Sequence, residues 1–258
     1  MTQKACLTIT LCECSENHIG MEKNGNIAKS GYNKTHLDKL MNYYKNKKIE
    51  RINLRDLLND NNIEFINNVS YLDNAELLII RNAIDNHEDI YNELINLKWD
   101  YHYYDIKRKK VLNKKARSNL CIDNFSQEAD YENKKGTIIS NNNIPIFNKE
   151  RIKISEILNE DPNLVKCEGN RYDNILKQGI GWHGDAERLK VVGLRFGESM
   201  SLCFKWFKNT NPVGKKFETI LNSGDLYIMT EKTCGNDWKK RSILTLRHSA
   251  GCKKYTSL

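Results

Sequence analysis

The chain has 258 residues, 39% hydrophobic and 29% charged, and its 41 Lys and Arg against 33 Asp and Glu give a formal net charge of +8. That is room for one large domain, or for a core with a small extra module, and the apolar content excludes wholesale disorder. No run of about 18 uncharged apolar residues and no secretory start is present, so a soluble, intracellular chain without membrane contact is expected, and the cationic excess favours an anionic partner such as nucleic acid.

Residues 5–10 alternate apolar and polar, the two-residue period of a strand, and lead into a polar loop around Glu16, Asn17 and His18 that suits a loop cap as well as a site. Leu37, Leu40, Met41 and Tyr44 fall at helical spacing, and residues 52–58 suit a strand or a short helix. Together they predict a small α/β module over residues 1–72, punctuated by the Asn-rich stretches at 59–62 and 67–68. A core-covering helix is predicted over 75–98, with Leu78, Ile79, Ala83, Ile84, Ile90, Leu94 and Leu97 on one side. Mixed strands and loops are expected over 101–147, where Lys107, Arg108, Lys109 and Lys110 suit either a solvated face or a nucleic-acid contact.

From Gly169 onward the texture changes. Short apolar runs at 191–196, 200–207, 216–221, 225–229 and 242–247, set apart by Gly, Asn or Pro, predict an all-β sandwich or jelly-roll barrel with Trp206 and Phe207 in its core and rim. The eight cysteines form no CxxC pair and are expected to be reduced thiols.

The segment Gly181-Trp182-His183-Gly184-Asp185 carries the strongest chemical signal. On an extended segment His183 and Asp185 project to one side, so an imidazole nitrogen and a carboxylate oxygen converge on one cation. A further histidine from a distant strand would complete a two-His, one-carboxylate facial triad, the arrangement of non-haem Fe(II) oxygenases. Among six histidines only His248 follows Asp185; either it is the third ligand or the triad is incomplete.

Asn170-Arg171-Tyr172, then His183-Gly184-Asp185-Ala186-Glu187, then Gly224-Asp225 opening a strand, resemble in type and order the landmarks of the AlkB-like Fe(II)- and 2-oxoglutarate-dependent dioxygenases. The resemblance covers roughly residues 76–258 and is strongest over 169–251. It implies an α+β fold with a double-stranded β-helix (jelly-roll) core and flanking helices over 73–258, preceded by the α/β module. It also implies iron held by His183, Asp185 and a distal histidine, O2 and 2-oxoglutarate as cosubstrates, and Asn170 and Tyr172 against the 2-oxoglutarate. Glu187, with Trp182 nearby, would face the substrate. The family's Arg-x5-Arg pair lies on the strand after the distal histidine, whereas Arg241 and Arg247 carry that spacing before His248. If His248 points inward, alternation turns Arg247 outward, and Lys254 becomes the alternative cation for the distal carboxylate.

The resemblance implies hydroxylation or oxidative demethylation of an alkylated nucleobase in DNA or RNA. A protein side-chain hydroxylase on the same fold, and a catalytically silent nucleic-acid-binding module, are the alternatives. Neither the substrate nor the oligomeric state is written in these residues.

Overall fold

The run Cys6-Leu-Thr-Ile-Thr-Leu-Cys12 forms strand β1 (Cys6–Cys12), buried along its whole length. In the computed structural model, which describes residues 4–58, 72 and 74–258, β1 is followed by β2 (Cys14–Glu16), β3 (Lys23–Gly25), helix α1 (Lys34–Tyr43), β4 (Ile49–Asn53), β5 (Glu76–Ile80) and α2 (His87–Ile95). The middle of the chain supplies β6 (His102–Asp105), β7 (Lys110–Asn113), β8 (Ser118–Asp123), β9 (Ile138–Ser140) and α3 (Pro145–Ile157). The remainder is β10 (Lys166–Tyr172), β11 (Gly179–His183), β12 (Val191–Gly197), β13 (Met200–Lys208), β14 (Asn211–Leu221), β15 (Leu226–Met229), α4 (Glu231–Cys234), β16 (Thr245–Gly251) and α5 (Lys253–Thr256).

The molecule is a mixed, strand-rich α/β structure with few helices. One sheet runs β4-β5-β15-β12-β1-β10-β8-β9, a second runs β11-β16-β13-β14, and β2-β3 and β6-β7 are separate hairpins. Alternation along β1 explains the layering. Leu7, Ile9 and Leu11 join Leu37, Ile90, Leu94, Phe147 and Ile154 in a core between the large sheet and its helices. Cys6 belongs to the other core, with Tyr172, Leu202, Phe204, Trp206, Tyr227 and Leu246 between the two sheets. Trp206 is fully buried there and donates its indole N–H to the Leu54 carbonyl at 2.7 Å.

Of the strands described within residues 1–72, β1 and β4 belong to the large sheet. β1 pairs with β10 on one side and β12 on the other, and β4 pairs with β5, so these two strands are built into the sheet of the later residues, while β2 and β3 form a hairpin of their own. The Asn-rich stretches at 59–62 and 67–68 lie outside the described residues. The helix expected over 75–98 begins only at His87. Before it, Leu77-Leu78-Ile79-Ile80 is a strand buried on both faces, whose unbroken apolar run mimics a helical stripe. The basic run Lys107 to Lys110 occupies the tip of the β6-β7 hairpin, with Lys110 opening β7. Among the described residues no helix is long and apolar enough to cross a membrane, and all eight cysteines are free thiols.

Candidate metal centre

Strict alternation along β11 would send Ile180 and His183 to opposite faces. The register slips between them, and both line one cavity between the two sheets. The slip seats His183 opposite His248 of β16, with ring centroids 4.4 Å apart and the planes at 62°. Asp185 lies past the end of β11, in a loop pinned by its own backbone N–H to the Cys234 carbonyl at 2.9 Å. The Asn236 amide donates to the carbonyls of Asp185 and Ala186 at 3.2 and 3.0 Å. Between the two candidate ligands, a Cβ on Gly184 would stand 2.0 Å from the Gly235 carbonyl oxygen, so this close approach of backbones requires glycine.

Nε2 of His183 and Nε2 of His248 each lie 3.7 Å from Asp185 Oδ1, and the three donors fall within 4.8 Å of one another. Donors about 2.1 Å from a shared ion stand roughly 3 Å apart at right angles, so small side-chain shifts close this set on a cation. His183 Nδ1 donates to the Gly181 carbonyl at 2.7 Å, which leaves Nε2 as the lone pair facing the cavity. Burial, with the charge of His248 adding, lowers the His183 pKa to about 3, which keeps the imidazole in the neutral form a metal binds. Against the upward push of burial, His248 and Arg188 hold the Asp185 carboxyl well below its usual range. Nδ1 of His248 is buried without a hydrogen-bond partner among the described residues.

The cavity between the sheets measures about 60 Å³. Asn170 and Tyr172 of β10 line it with the triad, as do Thr8, Arg195 and Tyr227. Asn170 Oδ1 accepts from the Asn119 amide at 2.7 Å and from Arg117 Nε. A wider cleft of about 430 Å³ opens over His183 and Asp185 and is lined by His18, Arg117, Trp182 and Glu187. Glu187 accepts from Arg188 Nε and Nη2 at 3.0 and 2.6 Å, while Arg188 also pairs with Glu168. Trp182 donates to the Ser257 carbonyl at 2.9 Å and packs on Phe207. His18 and Arg117 also line a second cleft of about 550 Å³, whose charged lining is Arg108, Lys114, Lys115 and Arg117 with no carboxylate.

The three cations expected from the C-terminal spacing are elsewhere. Arg247 stacks 4.3 Å from the Phe207 ring centre, turned from the cavity by the same alternation that points its neighbour His248 inward. Lys254 is exposed on α5 over the Tyr255 ring, and Arg241 is exposed in the loop before β16. The cations that do line the cavity are Arg188 and Arg195. Arg195 left one sequence signal, a single charge inside the apolar run Val191-Val-Gly-Leu-Arg-Phe196.

No family model matches this sequence. The chain is 37% identical over 257 residues, 98% of each protein, to the uncharacterized protein R156 of Acanthamoeba polyphaga mimivirus.

Proposed function

This chain belongs to the family of that mimivirus protein, and we propose that it is an AlkB-like Fe(II)- and 2-oxoglutarate-dependent dioxygenase built on a double-stranded β-helix. The observation that carries the proposal is the convergence of His183 from β11, Asp185 from the loop after it and His248 from the neighbouring β16 onto one cavity between the sheets. Two neutral-capable imidazoles and a carboxylate on one face, with the other face free, are the donor set of the facial triad. The topology supports the same reading. β10, β12 and β15 lie in the large sheet and β11, β13, β14 and β16 in the small one, and β1 between β10 and β12 makes four strands against four, the count of a jelly roll.

In this reading His183, Asp185 and His248 hold the iron, and Asn170 and Tyr172 offer amide and phenol groups to the cosubstrate. When bound, Fe(II) with 2-oxoglutarate and O2 supplies the oxidising power to hydroxylate a substrate C–H bond, releasing succinate and carbon dioxide, and a hydroxylated N-methyl group then departs as formaldehyde. Arg188 holds Glu187 and Glu168 at the mouth, so an acceptor carboxylate is oriented toward the outer cleft before substrate arrives. The proposed substrate is an alkylated or methylated base in DNA or RNA, flipped out to reach the cleft. Supporting it, the adjoining cleft presents four cations and no carboxylate, an electrostatic fit to phosphodiesters.

The test is to purify the chain anaerobically with Fe(II) and follow succinate release with methylated oligonucleotides and with peptides. Succinate coupled to an oligonucleotide is the expected result. Coupling to a peptide alone would transfer the activity to protein side chains, and a chain that neither retains iron nor consumes 2-oxoglutarate would overturn the reading.

A further inference from the structure

Arg195 is 1% exposed and lines the cavity of the candidate metal centre together with Glu168 and Asp185, yet Glu168 pairs with Arg188, Asp185 lies against the two histidines, and no carboxylate among the described residues forms an ion pair with Arg195. The one hydrogen-bond acceptor of its guanidinium among the described residues is the Cys6 thiol, 2.7 Å from Nη1, and its Nε is buried without a partner among them. Arg188, the other buried arginine of this cavity, is saturated by Glu168 and Glu187. A buried guanidinium without a counter-charge is a costly arrangement that a purely structural role does not explain. Its fork is shaped to take a carboxylate through two parallel hydrogen bonds. The backbone fixes its direction: Val191 and Arg195 face the cavity from β12, while Val192, Leu194 and Phe196 fill the helix-covered core. Thr8 lies across from Arg195 in the ladder, and the Tyr172 and Tyr227 side chains share the cavity.

We infer that Arg195 is the anchor for the distal carboxylate of a small dicarboxylate whose other end reaches the His183, Asp185 and His248 centre. The inference rests on the dioxygenase reading for the identity of that ligand as 2-oxoglutarate, and it replaces Arg241, Arg247 and Lys254 with a cation on β12. The cavity volume, about 60 Å³, holds roughly two waters, so a five-carbon ligand would extend into the outer cleft or move neighbouring side chains.

Binding of 2-oxoglutarate, pyruvate and succinate to the full chain, with and without Mn(II), tests this by calorimetry. Pyruvate keeps the 2-oxo acid and lacks the distal carboxylate; succinate keeps both carboxylates and lacks the oxo group. Wild type is expected to bind 2-oxoglutarate with Mn(II) at least tenfold more tightly than pyruvate, and Arg195→Met to lose that preference while its Mn(II) affinity is unchanged. Arg241→Gln, Arg247→Gln and Lys254→Gln should keep the preference. A second readout needs no ligand: removing an unpaired buried charge should leave Arg195→Met at least as resistant to urea as wild type, whereas loss of a structural arginine would lower the midpoint. If wild type prefers 2-oxoglutarate and Arg195→Met retains the preference, the anchor is wrong and the dioxygenase reading stands. Should only succinate binding depend on Arg195, with no preference for 2-oxoglutarate when Mn(II) is present, the anchor stands and the dioxygenase reading fails. Binding of none of the three acids overturns both.

Discussion

At the candidate metal centre His248 shares a single carboxylate oxygen with His183, and no other His, Cys, Asp or Glu joins the group among the described residues. His248→Ala should therefore lower retained Fe(II) at least about tenfold, as measured by metal content after dialysis, and stop succinate formation even without a primary substrate; turnover at the wild-type rate would remove His248 from the centre. A second residue-scale expectation concerns acid. Burial, helped by the charge of Lys114, lowers the His18 pKa from 6.5 to about 4. As pH falls through that window the unfolded chain takes up the proton before the folded one, so stability is lost between roughly pH 6.5 and 4. His18→Phe keeps a ring against Tyr103, stacked at 3.8 Å in the native pair, and urea midpoints across that range should flatten relative to wild type. His183, Asp185 and His248 are visible in the sequence because two sit in one short motif and elimination finds the third. Arg195 is not, because periodicity sends a charged strand residue to solvent, whereas β12 is buried on both faces.

Strand β1 shows what one element contributes. It fills the gap between β10 and β12, giving Leu7, Ile9 and Leu11 to one core and Cys6 to the other. Ile9→Ala should cost about 2–5 kcal/mol, the usual range for a fully buried large-to-small change, read from urea denaturation. A chain beginning at residue 73 should give no cooperative transition, because β10 and β12 would each lose a pairing edge; an independent module would leave it folded. The existence of β1, β12, β13 and β15 is legible from period and apolar runs. Their partners are not, since pairing joins Cys6 to Tyr172 and to Gly197 and no local pattern records such a distance. The same limit hides the cation expected beyond His248: β16 runs into the short helix α5, while the position between β10 and β12 is filled from the other end of the chain.

Over the whole molecule, part of the cationic excess behind the net charge of +8 lines one cleft. Arg108 and Lys115 line the carboxylate-free cleft beside the mouth of the metal centre, and neither belongs to the triad or its cavity. Oligonucleotide affinity should fall steeply between about 50 and 200 mM salt, and Arg108→Glu with Lys115→Glu should flatten the logarithmic slope by roughly 0.9 for each phosphate no longer neutralised. Fluorescence anisotropy measures this; an unchanged slope would place the polynucleotide elsewhere, and no binding at low salt would favour a protein substrate. Composition gives only the sign of the excess charge, whereas the four cations fall within residues 108–117, a stretch without an acid that is legible in the sequence; what the sequence does not record is that this stretch lies beside His18 and the cleft over His183 and Asp185.

The position of β1 also bears on how the protein is born. Synthesis makes this strand before either neighbour, β10 and then β12, which is complete only once Gly197 has been added, so an uncharged, largely apolar ribbon waits with both edges open until β10 emerges and with one edge open until β12 follows. Nascent chains halted before residue 197 should be protease-sensitive throughout and should engage holding chaperones through the Cys6–Cys12 segment, with resistance appearing in one step once β12 is free of the ribosome.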